Sequence, residues 1–104
     1  MTNVKSKTVL ITGASRGIGA AAAREFAAMG ANVVLAARSS TEIEKLADEI
    51  GDSAFAVPCD VSRYEDVQLA VDQAVSRFGG LDYLINNAGT VSYTHLTLPT
   101  ICSV

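Results

Sequence analysis

The apolar residues of this chain follow two alternating rhythms. Thr8–Thr12 is a short β-branched, apolar run, which predicts a strand covered on both faces. A glycine-rich turn follows. Ile18, Ala22, Phe26 and Met29 then recur at helical spacing, and Gly30 fits a position just past a helix end. Asn32–Ala37 reads as a second strand. Ile43, Leu46, Ala47 and Ile50 stand one helical turn or less apart, with Glu42, Glu44, Lys45, Asp48 and Glu49 between them. That predicts an amphipathic helix, for which Thr41 with Glu44 fits a capping box and Gly51 a stop. Ser53–Pro58 reads as a third strand. Ser62 with Glu65 fits a second capping box, opening a helix whose apolar stripe is Val67, Ala70, Val71, Ala74, Val75 and Phe78. Gly79-Gly80 closes it. Leu81–Ile85 is the predicted fourth strand and leads into Asn86-Asn87-Ala88-Gly89. Strands alternating with helices in this way predict an α/β fold: a parallel sheet with right-handed crossovers and helices on both faces.

Composition narrows the function classes. The 104 residues suffice for one domain, and no repeat or linker interrupts them. Eight Lys and Arg against eleven Asp and Glu leave a net charge of −3, which argues against a nucleic-acid or anionic-membrane surface. Apolar residues at 49% and charged residues at 18% are globular proportions. No apolar run reaches the ~18 residues of a membrane span. The N-terminus, Met-Thr-Asn-Val-Lys, carries no signal-peptide apolar region. Two cysteines, Cys59 and Cys102, are too few for a disulfide framework or a zinc site. The expectation is a small, soluble, cytoplasmic domain with no metal.

The first turn carries candidate chemistry. Thr12-Gly13-Ala14-Ser15-Arg16-Gly17-Ile18-Gly19 joins the first strand to the first helix. Its glycine spacing is neither G-x-G-x-x-G nor the P-loop pattern. The physics is nevertheless that of a phosphate site: glycine permits a sharp turn and close ligand approach, and a helix N-terminus offers free N–H groups. Ser15 and Arg16 add a hydroxyl and a cation. A tight strand–helix turn without a ligand would use the same glycines. Arg38 follows the second strand, where dinucleotide sites face the adenosine ribose. Ala37 and Arg38 leave no acid there, so Arg16 and Arg38 suit the 2′-phosphate of NADP better than the free 2′-OH of NAD. The alternative is a solvated surface arginine. Asp60-Val61 and Asn86-Asn87-Ala88-Gly89 stand at the carboxyl ends of the third and fourth strands, where open α/β sheets bind ligands. Asp60 fits both a helix cap and an adenine contact. Asn86 and Asn87 fit both backbone support and cofactor binding.

Together these motifs resemble the N-terminal half of the short-chain dehydrogenase/reductase family, over about residues 5–89. The resemblance implies a Rossmann-like, doubly wound parallel sheet, truncated to four strands in the order 3-2-1-4 with three helices. It implies that Gly13, Gly17 and Gly19 line the pyrophosphate, that Ser15 and Ile18 belong to the same cofactor-binding set, and that Arg16 and Arg38 hold a 2′-phosphate. Asp60 would bond the adenine amino group beside Val61. Asn86 would stabilise the central strand, and Ala88 and Gly89 would lie along the nicotinamide ribose. Asn87 is assigned a structural role. The full-length protein would be an NADP-preferring oxidoreductase, with NAD the less favoured cofactor, acting on a carbonyl or alcohol substrate as a homo-oligomer. The family's catalytic Ser and Tyr-x-x-x-Lys are missing: Gln68, Asn87 and Thr97 stand four residues after Tyr64, Tyr83 and Tyr93, and the last lysine is Lys45. No catalytic residue is assigned, and the chain itself is expected to be inactive. The alternative is a non-catalytic nucleotide-binding module.

The tail departs from this pattern. Val91–Thr100 resembles a translation of the transposase adapter of sequencing libraries, GTCTCTTATACACATCTGACGCTGCCGACG. The preceding adapter bases fall in the Thr90 codon, a sample index would supply the codons through Ser103, and the bases after it encode Val104 and a stop. Residues 1–89 are therefore read as half of a dinucleotide-binding domain and 90–104 as a non-native tail. His95 and Cys102 lack the third ligand or orienting acid that a metal or nucleophile site needs. With the chain cut there, the fourth strand is expected to be an open, aggregation-prone edge, which favours a poorly soluble fragment that binds nothing.

Overall fold

The computed structural model describes residues 5–15, 17–87 and 101–103. Their elements run β1 (Thr8–Thr12), α1 (Gly17–Ala28), β2 (Asn32–Ala37), α2 (Ser40–Ile50), β3 (Ala54–Pro58), α3 (Tyr64–Phe78), β4 (Tyr83–Asn86) and β5 (Ile101–Ser103). The sheet is parallel, in the order β3-β2-β1-β4-β5. The first four strands thus stand in the predicted 3-2-1-4 order. Every residue of β1 is buried, as a central strand covered on both faces requires.

Alternate residues of each strand face opposite layers. Val9, Ile11, Val33 and Leu35 join Ala20, Ala23, Ile43 and Leu46 under α1 and α2. Leu10, Val34, Val57 and Leu84 join Val67, Ala70, Val71 and Ala74 under α3. Leu10, Leu35, Ile43 and Leu84 are fully buried, and each such side chain stabilises the fold by about 1.5–3 kcal/mol. Among the described residues, α3 is the only helix on its face of the sheet. None of the described helices is long and apolar enough to cross a membrane.

Four local expectations are corrected. The α1 stripe is wrong at both ends: Ile18 is 68% and Met29 43% exposed. Gly19, Ala20 and Ala23 are buried instead, because small residues let this helix lie close on the sheet. Val75 is likewise exposed on α3. Neither capping box forms. Ser39 and Arg63 occupy the N-cap positions of α2 and α3, without side-chain cap bonds. The glycine stops do match: the Gly51 and Gly79 N–H groups donate to Ala47 and Val75 carbonyls, each at 2.8 Å. Finally, β4 is not the edge. Leu84, Ile85 and Asn86 pair in register with Ile101, Cys102 and Ser103, so backbone groups that would lie open find partners in β5.

Candidate dinucleotide site

The carboxyl ends of β1, β2 and β3 open on one side of the sheet and carry the loops between strand and helix. Two hydrogen bonds lash these loops together. Ala14 N–H donates to the Ala36 carbonyl at 3.3 Å, and Cys59 N–H to the Ala37 carbonyl at 2.8 Å. Between them lies a cleft of about 470 Å³ lined by Gly13, Ser15, Ala37, Arg38, Ser39, Cys59, Asp60, Val61 and Ser62. The structure therefore brings Gly13, Ser15, Arg38, Asp60 and Val61, five of the candidate residues, to one cleft. Ala37, Ser39, Cys59 and Ser62 line it too, outside the predicted set. Each directly neighbours a predicted one, the signal that could have found them.

The other predicted residues stand elsewhere. Gly17 and Ile18 begin α1 and are exposed. Gly17, at φ +62°, adopts a left-handed conformation that favours glycine, although a Cβ there would meet open space. Gly19 has the opposite constraint. A Cβ on it would overlap the Gly13 carbonyl oxygen and come within 2.7 Å of Asn87 Nδ2. Its glycine therefore serves close packing of α1 against the loop. Asn86 is buried at the end of β4, outside the cleft lining. Arg16, Ala88 and Gly89 lie outside the described residues, as does the tail apart from β5.

Thr12 connects the glycine loop to β4. Its hydroxyl lies 3.2 Å from Asn86 Oδ1 and 3.3 Å from the Ile85 carbonyl, two acceptors for its one proton, and accepts from Asn87 N–H at 3.0 Å. Asn87 Nδ2 donates to the Gly13 carbonyl at 3.2 Å. These contacts span more than seventy residues of chain and hold the glycine loop and the end of β4 in one frame. No pattern local to the sequence marks the Thr12 contact.

The cleft has a charged rim. The Asp60 carboxyl sits below its ordinary range, held there by the Ser62 hydroxyl and N–H and, through space, by Arg38 and Arg63. Asp60 Oδ1 accepts from the Ser62 hydroxyl at 2.6 Å and from its N–H at 3.0 Å. The buried Cys59 thiol is pushed up to about 11, first by desolvation and then by Asp66 and Asp60. Its folded pKa stands above the unfolded value of about 8.5. The stability this contributes is present below that value and lost as pH rises through about 11. Iodoacetamide at pH 8.5 should accordingly label Cys59 at least roughly a hundredfold more slowly in the folded chain than in urea, as the smaller thiolate fraction dictates. Peptide mass mapping against time checks this, and equal rates would contradict it.

A glycine loop at a helix start beside a cleft at the carboxyl ends of parallel strands is the arrangement of a Rossmann-like α/β fold. The chain belongs to the short chain dehydrogenase family, whose model matches residues 7–100. It is 47% identical over 92 residues to an uncharacterized oxidoreductase of Mycobacterium tuberculosis, covering 83% of this chain and 27% of that protein. It is 45% identical over 98 residues to 11-beta-hydroxysteroid dehydrogenase A of Sesamum indicum, covering 90% and 28%. Among solved structures it resembles a 3-ketoacyl-(acyl-carrier-protein) reductase from Brucella melitensis complexed with NADH, with a TM-score of 0.80 and 48% identity over 83% of this chain and 35% of that one. The chain thus spans about a third or less of the length of these proteins.

Proposed function

We propose that the full-length protein is an NADP-preferring oxidoreductase acting on a carbonyl or alcohol carbon, and that residues 1–89 supply half of its dinucleotide-binding domain. The observation that carries this reading is the cleft itself. It brings Gly13, Ser15, Arg38, Asp60 and Val61 to one wall-to-wall space, with Arg38 where an acid would favour NAD. The residues fit the group: Gly13 lines the cleft in a left-handed conformation, φ +64°, and carries no Cβ to keep a pyrophosphate from its backbone. Arg38 and Ser39 would hold the phosphate-bearing ribose, and Asp60 and Val61 the adenine. Bound there, the nicotinamide cofactor supplies the hydride, while the protein orients it and excludes water. Arg16, Gly17, Ile18, Gly19, Asn86, Ala88 and Gly89 complete the proposed binding set by family resemblance. The same resemblance supports a cytoplasmic, homo-oligomeric full-length protein.

Two further parts of the reading concern this chain alone. Residues 90–104 are a translated adapter, because one frame of that DNA accounts for Val91–Thr100 without a gap. The chain is inactive, because no Tyr in it is followed four residues later by Lys. Titrating the chain with NADPH and NADH, and assaying hydride transfer to a carbonyl panel, tests the whole reading. Expected are saturable binding, tighter for NADPH, and no turnover. Preference for NADH would overturn the cofactor assignment, and turnover would overturn inactivity. Binding by the chain with no turnover by a full-length protein would favour a non-catalytic nucleotide-binding module.

A further inference from the structure

The Asp60–Ser62 wall of the cleft is anchored by a side chain beyond it. Asp60 N–H donates to Asp66 Oδ2 at 3.0 Å. Asp66 is the third residue of α3, whose N-cap, Arg63, makes no side-chain cap bond. An acidic side chain at that helical position ordinarily turns back to the N-cap N–H. Here the Arg63 N–H goes to the Asp60 carbonyl at 3.0 Å, and Asp66 reaches six residues back to Asp60. The Arg63 Nε lies 3.9 Å from Asp66 Oδ1. The backbone from Asp60 to Asp66 is therefore closed at both the N–H and the carbonyl of Asp60. Asp60, Val61 and Ser62 line the cleft, and Asp66 does not.

We propose that Asp66 is a positioning residue for the dinucleotide, setting the backbone of Asp60–Ser62 and hence the shape of that wall without touching the ligand. This role rests on the reading of the cleft as a dinucleotide site. The charge of Asp66 opposes an anionic ligand, so its contribution to binding comes through the hydrogen bond.

The test compares Asp66→Ala and Asp66→Asn in the 104-residue chain by amide hydrogen exchange and NADPH titration. Asp66→Ala should speed exchange at Asp60 N–H and weaken NADPH binding, each roughly tenfold, the loss expected for a hydrogen bond to a charged group. The amides of Val9–Ile11 in β1 should keep their protection. Asp66→Asn keeps an acceptor oxygen, so it should restore Asp60 protection and bind NADPH at least as well as the unsubstituted chain. Unchanged Asp60 exchange in Asp66→Ala would overturn the proposal. So would faster exchange with unchanged NADPH affinity, failure of Asp66→Asn to rescue, or loss of β1 protection, which would make Asp66 a support of the whole fold. An unsubstituted chain that does not bind NADPH would bring down the dinucleotide reading and this role with it. Binding that is equal in all three chains would overturn the role alone.

Discussion

Gly19→Ala should lower the melting temperature by about 10–20 °C, through overpacking and a disrupted hydrogen bond worth together about 2–4 kcal/mol. The added Cβ would overlap the Gly13 carbonyl oxygen and crowd Asn87 Nδ2. Those two atoms are already hydrogen-bonded to each other at 3.2 Å. Neither can yield cheaply. Gly13 belongs to the backbone of a loop tied to β2 through Ala14, and Asn87 is fixed by its own N–H to Thr12. Relief therefore requires α1 to lift from the sheet, exposing Ala20 and Ala23. Gly17→Ala is the control. Its Cβ meets open space, so only the left-handed backbone is strained, at about 1–2 kcal/mol. Thermal melts of the three chains by circular dichroism decide the matter. A Gly19→Ala chain melting no lower than Gly17→Ala would show that α1 and the loop are not in the tight contact described.

This contact also marks the limit of what the sequence discloses. The strands β1 and β2 are legible to the residue, because continuous apolar, β-branched runs between turn signals have few other solutions. The helix stops at Gly51 and Gly79 are legible because their backbone demands are local. The facing of α1 is not. Hydrophobicity pointed to Ile18 and Met29, but closeness of approach favours the small side chains at 19, 20 and 23. Local cap patterns failed for a related reason. Ser39, Ser40 and Thr41 all have capping hydroxyls, and the pattern alone does not choose among them. At α3 the Ser62 hydroxyl is taken by Asp60. For the site, Arg38, Asp60 and Gly13 were legible from their places after strands. The Thr12–Asn86–Asn87 frame was not, since its partners meet only through the parallel pairing of β1 with β4. The β5 strand was illegible too: three residues carry too little periodicity to declare a strand.

Arg38→Asp should reverse the cofactor preference, with a combined swing of about a hundredfold or more between NADPH and NADH. Arg38 stands exposed at the end of β2 and lines the cleft. A charge-assisted hydrogen bond from it to a 2′-phosphate, as proposed, would contribute about 1.5–3 kcal/mol, or roughly tenfold or more in affinity. Aspartate removes that bond and sets an anion against the phosphate. For NADH the same carboxylate offers an acceptor to the ribose 2′-OH, so the two affinities move in opposite directions. The rim responds as well. Arg38 is one of the cations holding Asp60 below the ordinary carboxylate range. Replacing it with an anion raises the Asp60 pKa, which NMR titration of that carboxyl reads without any cofactor. Because Asp60 is depressed in the folded chain, the stability it contributes is present above its unfolded value of about 3.9 and is lost as pH falls through the folded value. The variant should lose part of that acid-side stability while its fold at neutral pH is unchanged. A raised Asp60 pKa with no change in cofactor preference would place Arg38 beside Asp60 but away from the ribose, and would return the 2′-phosphate assignment to Arg16 alone.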